Sequence, residues 1–334
     1  MTESRAGTAT KYDVVSIGET MLRFSPRIPL RLEQATEFEL HIGGSESNTL
    51  VGLARLGLRT CWISRLPNHA LGRQVGRLIG QQGVDIGHVV WSAEDRLGTY
   101  FYEPASPPRV GEVIYDRSDS AFTKLTSQAL PLAPLQACCW FHATGITLAL
   151  GSSLREMMAF ARDQAKAFGS KVSFDFNYRS KLWGMDVARA ETDHWVRESD
   201  LVFFAKRDAI AWLGLESAAT DEDVVLGLDR MRAGKTTVIT LGERGAIGAE
   251  QGRCVAVGTS KVDGAGRLGG GDAFSAGVLY GQLQGWGLER CLRWGNAMAG
   301  LKYSIPGDMP IVHLEEGMRL AEKGGAPNNF GVQR

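Results

Sequence analysis

From about residue 138 onward, short apolar runs alternate with amphipathic helical ones, and that alternation leaves few folds open. Residues 140–143 read as a strand. Ser153 and Glu156 make a capping box before a helix over 154–168, which Gly169 ends. Residues 171–177 give the next strand. A helix over 186–197 leads to the run 201–204, and another over 221–232 leads to the run 237–241. A hairpin pattern over 246–257 follows, then a glycine-rich loop, then helices over about 272–284 and 288–303. Such alternation predicts a mostly parallel central sheet with helices on both faces. Ligands of such sheets bind at the carboxyl ends of the strands. Residues 12–18 add one more buried strand, and 47–56 one more helix, stopped at Gly57. The segments 20–42 and 98–117 have another grammar: alternating runs broken by prolines, without helices. They predict a small β-sheet lid beside the main sheet.

The loop at 266–271 ends in Gly269-Gly270-Gly271, followed at once by Asp272 and the helical pattern of Phe274, Val278 and Leu279. Glycine lets a ligand approach the backbone closely. The first N–H groups of the helix lack internal partners and lie at the positive end of its dipole. Together these features suit an anion, phosphate above all. Asp272 is then badly placed as a phosphate ligand and well placed as a base. An acidic first turn is common in any helix, but three glycines exceed what a cap needs. The literal match of Gly264, Gly266 and Gly269 to a dinucleotide fingerprint has the wrong context, because Glu289 reads as a first-turn helix acid and not as a strand end.

Lys+Arg and Asp+Glu both count 37, so no basic excess points to nucleic acid. The five cysteines are odd in number and include no C-x-x-C, which reads as reduced thiols in a cytoplasmic protein. The longest apolar stretch, 137–150, is interrupted by His142 and is too short to span a bilayer. Residues 1–10 and 323–334 read as loose tails.

Gly269 to Phe274, together with Gly43-Gly44-Ser45-Glu46-Ser47-Asn48, resemble the PfkB/ribokinase family of sugar kinases, within it most closely the 2-keto-3-deoxygluconate kinases. The stretches 18–21, 113–117, 144–147, 174–183 and 305–308 support this in order and spacing. The resemblance covers about residues 11–320. It implies a ribokinase-like α/β fold with a lid, often dimeric through that lid. It implies an ATP- and magnesium-dependent kinase acting on the terminal hydroxyl of 2-keto-3-deoxygluconate. A fructokinase or ribokinase type, or a sugar-responsive regulatory protein, stays open as an alternative. Carried over by position, Asp272 is the catalytic base, and Gly269, Gly270 and Gly271 form the anion hole. Gly44, Asn48, Tyr100, Tyr115, Arg117, Arg179 and Asp308 are substrate positions. Asn177, Gly242, Gly245 and Asn296 are nucleotide positions. Arg117 is expected to bind the carboxylate or keto end of the sugar acid.

Bland readings stand beside these. Gly43-Gly44 can be a tight turn, Glu46 a first-turn acid, Tyr100 and Tyr115 packing, and Asp308 turn chemistry. Arg179 can be a surface residue, Arg117 a lid or dimer contact, and His142 a structural histidine. Two departures from the family pattern bear on ions. Gly266 stands where an aspartate is usual, with Asp263 three residues upstream, which puts a monovalent-cation site in doubt. Lys206 stands near the asparagine of a magnesium-associated element in which Asp208 is the only acid, so the metal ligands are left unassigned.

Overall fold

The computed structural model describes residues 11–106, 108–259, 262 and 268–322. The strands in chain order are β1 (Tyr12–Ile17), β2 (Met21–Ser25), β3 (Glu39–Gly43), β4 (Thr60–Ile63), β5 (Arg65–Pro67), β6 (Val90–Ser92), β7 (Thr99–Glu103) and β8 (Glu112–Asp116). They continue with β9 (Cys138–Thr144), β10 (Lys171–Asp175), β11 (Leu201–Ala205), β12 (Thr236–Thr240), β13 (Ala246–Glu250) and β14 (Arg253–Val257). The helices are α1 (Ser45–Arg55), α2 (Ala70–Gly80), α3 (Gly145–Ala149), α4 (Ser152–Ala167), α5 (Met185–Glu198), α6 (Lys206–Leu213), α7 (Asp221–Asp229), α8 (Gly270–Leu283), α9 (Leu288–Tyr303) and α10 (Leu314–Glu322).

The main sheet has eight strands in the order β14-β13-β12-β11-β10-β9-β1-β4. Pairing is parallel from β12 to β4, and the hairpin β13–β14 extends it antiparallel. The strands carry apolar side chains on both faces, as a sheet covered on both sides requires. Phe141, Phe174, Val202, Phe204 and Ile239 face α4, α5, α6 and α7. Val14, Trp140, Leu201, Phe203 and Val238 face α1, α2, α8 and α9. The expected capping box at Ser153 is absent. The helix begins two residues earlier, after Gly151, and Gly151 at φ 143° is a conformation that only glycine adopts cheaply.

The segments 20–42 and 98–117 form the lid, a four-stranded sheet in the order β3-β2-β7-β8. Its register aligns His41, Arg23, Tyr100 and Tyr115 across neighbouring strands. Directly opposed residues share a face, so this row looks one way. The alternate row, Leu40, Phe24, Phe101 and Ile114, looks the other way, where Phe24 stacks on Phe101 at 5.4 Å. Leu40 and Ile114 in that outer row remain 40% and 49% exposed. No helix among the described residues is long and apolar enough to cross a membrane.

Candidate active site

Asp272 lies in the first turn of α8, at the carboxyl edge of the parallel strands, where α1 and the turn after β10 meet it. Ser45 Oγ donates to Asp272 Oδ1 at 2.6 Å, and Asn48 Nδ2 donates to Oδ2 at 2.8 Å. Asn177 Nδ2 donates to Ser45 Oγ at 2.7 Å, so the Asn177 turn is tied to the same carboxylate. Asn177 holds φ 39°, a left-handed conformation that asparagine tolerates better than most residues. Burial pushes the Asp272 carboxyl above the usual carboxylate range, and the donors from Ser45 and Asn48 and the charge of Arg179 pull against it. A carboxylate oriented by two donors yet raised in basicity suits proton abstraction.

Asp175, at the end of β10, brings a second carboxyl group close to Asp272. It accepts from Ser275 Oγ at 3.2 Å and from the Asn177 amide at 3.1 Å. Burial, then the charge of Asp272, raises it from 3.8 to about 7. Sequence reasoning had no reason to single out Asp175 or Ser45. The first looks like a strand-end acid and the second like a helix-start serine, and only the fold joins them to Asp272.

The three glycines differ in what they accommodate. Gly269 is the N-cap at φ 74°, and a Cβ there would lie 1.9 Å from the Asp308 carbonyl oxygen. A Cβ on Gly270 would lie 2.2 Å from the Tyr303 ring. A Cβ on Gly271 would meet nothing within 4 Å, and Gly271 is exposed. Gly269 and Gly270 are therefore required by packing, whereas Gly271 borders open space beside Asp272.

On the lid side, Asp308 is held by two lid residues. Arg23 Nη1 donates to its Oδ1, and Tyr100 OH donates to its Oδ2 at 2.5 Å. Gly43 admits this cluster, because a Cβ there would lie 2.2 Å from the Tyr100 hydroxyl. Gly44 is crowded in the same way, with the Glu19 carbonyl oxygen 2.3 Å from its would-be Cβ. Protein atoms thus fill the space beside Gly43 and Gly44, and both Asp308 oxygens are engaged. Tyr115 packs on Tyr100 with ring centroids 5.8 Å apart.

Arg117 differs from expectation. It is 9% exposed, and its Nε and Nη2 both donate to Glu19 Oε2, while Ser120 Oγ donates to Oε1. Its charge is compensated inside the protein, so it is not a free cation awaiting a carboxylate. Arg179 is exposed, donates to the Tyr178 carbonyl at 3.1 Å, and has no close ion pair among the described residues, while its charge reaches Asp272 and Asp175. With Tyr115, Tyr178, Lys181 and Arg207 it lines a cleft of about 420 Å³ between the lid and the main sheet. Glu46 is more than a first-turn acid. Buried at 1% exposure, it accepts from Thr144 and Thr147 at 2.7 Å each and fastens α1 to the start of α3.

The expected nucleotide residues fall into two places. Asn177 belongs to the Asp272 network. Gly245, at φ 98°, packs against the end of β14, where a Cβ would lie 2.1 Å from the Val257 carbonyl oxygen. Asn296 donates to the Gly258 carbonyl at 3.1 Å, at the same spot. Gly242, at φ 64°, opens the 3-10 turn after β12, and a Cβ there would meet nothing within 4 Å. Lys206 pairs with Asp221 at 2.8 Å, and Arg244 joins the same carboxylate. Asp208 is buried and pairs with Arg207. No group of three or more His, Cys, Asp or Glu that could hold a metal occurs among the described residues. Gly266 and Asp263, which bear on the monovalent cation, lie outside the described residues, as do Gly264, the tail 1–10 and the tail 323–334.

A family model described as pfkB family carbohydrate kinase matches residues 11–312. A 2-dehydro-3-deoxygalactonokinase of Haloferax volcanii is 35% identical over 314 residues, covering 94% of this chain and 98% of the relative. A 2-dehydro-3-deoxygluconokinase of Bacillus subtilis is 28% identical and covers 90% of this chain and 92% of the relative. The crystal structure of a 2-dehydro-3-deoxygluconokinase from Thermotoga maritima superposes with a TM-score of 0.89 at 29% identity, over 94% of this chain and 99% of the other.

Proposed function

Because the chain belongs to the pfkB family of carbohydrate kinases, we propose that it phosphorylates the terminal hydroxyl of 2-keto-3-deoxygluconate at the expense of ATP. The names of its similar proteins support the sugar-acid class (2-dehydro-3-deoxy and 2-keto-3-deoxy describe the same compounds). The observation that carries the reading is the Asp272 carboxylate, oriented by Ser45 and Asn48 beside the open flank of Gly271.

Phosphoryl transfer asks a protein mainly for positioning and charge stabilisation. Asp272 takes the proton of the attacking hydroxyl. The unpaired N–H groups at the start of α8 hold the transferring phosphoryl oxygens. Asn177 couples the Asp272 network to the phosphate side through Ser45. Gly242, Gly245 and Asn296 shape the nucleotide end. Magnesium, when bound with ATP, supplies charge neutralisation of the phosphates, with Asp175 and Asp208 as the carboxylates available to hold it. Tyr100 and Tyr115 wall the sugar from the lid side, with Asp308 and Gly44 behind them. Arg179 replaces Arg117 as the cation that meets the sugar carboxylate, because it lines the cleft and is not held in a close ion pair. A second copy of the chain covers the outer apolar face of the lid.

A coupled ADP-release assay across 2-keto-3-deoxygluconate, its C4 epimer, gluconate, fructose and ribose tests this. Turnover is expected with the keto-deoxy acids. Turnover with fructose or ribose alone overturns the substrate class. Binding of sugar acid without turnover of any acceptor overturns the kinase reading in favour of a regulatory protein.

A further inference from the structure

Lys302, in the last turn of α9, is completely buried. Lysine is almost never fully buried unless paired. Here the ammonium has no carboxylate at salt-bridge distance among the described residues. Its hydrogen bond goes to a backbone oxygen, Ile305 O at 2.9 Å. Its side chain runs directly behind the glycine loop, with Cε 3.2 Å from where a Cβ of Gly269 would be. Burial lowers its pKa, and the charges of Asp308 and Asp272 oppose that loss while Arg23 adds to it.

A count of charges under the loop shows what the ammonium balances. Asp308 is matched by Arg23. Asp272 receives hydrogen bonds from the neutral donors Ser45 and Asn48, with the exposed Arg179 acting on it through charge alone. Without Lys302, the base and an arriving phosphoryl anion would face each other with only the helix-dipole charge and the exposed Arg179 to offset them. We infer that Lys302 is a positioning residue for phosphoryl transfer: a built-in cation, fixed behind Gly269, that offsets the charge of Asp272 and of the phosphoryl group at the start of α8. The inference rests on the kinase reading above.

A purely structural role is the competing account. Lys302 also closes the turn that presents the Asp308 carbonyl to Gly269, since the Ile305 amide donates back to Lys302 O at 3.0 Å. Two variants separate the roles. Lys302→Met keeps the volume and removes the charge. It should melt no lower than wild type, because the desolvation of a buried charge, which Asp308 and Asp272 offset only in part, is gone. Its kcat should fall by about ten- to a hundredfold, the worth of a fixed charge several ångströms away at an effective dielectric near 20. KM for the acceptor should change much less. Lys302→Ala opens room for a small cation. Its kcat should recover severalfold or more in ammonium or methylammonium chloride, compared with a bulky organic cation at equal ionic strength, whereas wild type should not respond.

Wild-type kcat in Lys302→Met overturns the inference. So does a fall in kcat that tracks a fall in melting temperature and that no ammonium restores in Lys302→Ala. Absence of turnover by the wild-type protein with every acceptor is a different failure, that of the kinase reading itself.

Discussion

Replacing Gly271 with alanine should push stability and activity in opposite directions. The backbone at 271 lies outside the left-handed region, and an added Cβ meets no described atom within 4 Å. Alanine can therefore adopt the native conformation without a clash. Gly→Ala at such a position stabilises by about 0.4–1 kcal/mol, chiefly by restricting the unfolded chain. Yet the methyl group would project into the space beside Asp272, where the transferring phosphoryl group must come within about 2.7–3.1 Å of the amide donors. Displacing that group by about 1 Å is enough to cost about 10²-fold. Denaturant midpoints should thus stay level or rise, while kcat in the ADP-release assay falls by about 10² or more. Gly269→Ala and Gly270→Ala, by contrast, should lose stability, because Asp308 O and the Tyr303 ring occupy the space. A Gly271→Ala enzyme with wild-type kcat would refute the idea that the phosphoryl group is held against this turn.

Other predictions concern the buried charges. The Asp175 pKa is raised from 3.8 to about 7 in the fold, so the folded state prefers the protonated form. Its contribution is present below the unfolded pKa near 4 and is lost as pH rises through 7. At about 1.36 kcal/mol per unit, the ceiling is on the order of 4 kcal/mol, shared with Asp272. Without nucleotide, Asp175→Asn should narrow the stability difference between pH 5 and pH 8, and an unchanged difference would remove Asp175 as its source. Arg117→Ala should destabilise by about 3–5 kcal/mol, because it strands the buried Glu19 carboxylate. Pairing it with Glu19→Gln should recover much of that loss. A normal melting temperature with a raised KM for sugar acid would instead restore Arg117 as a substrate ligand.

Much of this architecture was legible in the residues. The alternation after residue 138 gives the sheet, because strands buried on both faces and helices buried on one leave different periodicities. The lid segments stand out because prolines and two-residue periods exclude helix. Asp272 is legible through the residue types that a helix-start anion site needs, and Asn48 only through the family resemblance. The partners of these residues are not. Arg23 and Tyr100 reach Asp308 across sequence separations of 285 and 208, and nothing local in an arginine on a strand announces such a pair. Arg117 illustrates the converse, since a cation in a substrate-like motif can be neutralised by a distant acid, here Glu19. Lys302 escaped notice because α9 is amphipathic and a lysine in its last turn reads as a solvated end.

The account turns on Asp272 as the base. Asp272→Asn keeps the shape and the hydrogen bond from Ser45 or Asn48 but cannot take the proton. Steady-state ADP release with saturating 2-keto-3-deoxygluconate, beside calorimetric ATP binding, measures its effect directly. The variant should fold, bind ATP with wild-type affinity, and lose about 10²–10⁴-fold in kcat. A kcat near that of the wild-type protein would contradict the account at its centre.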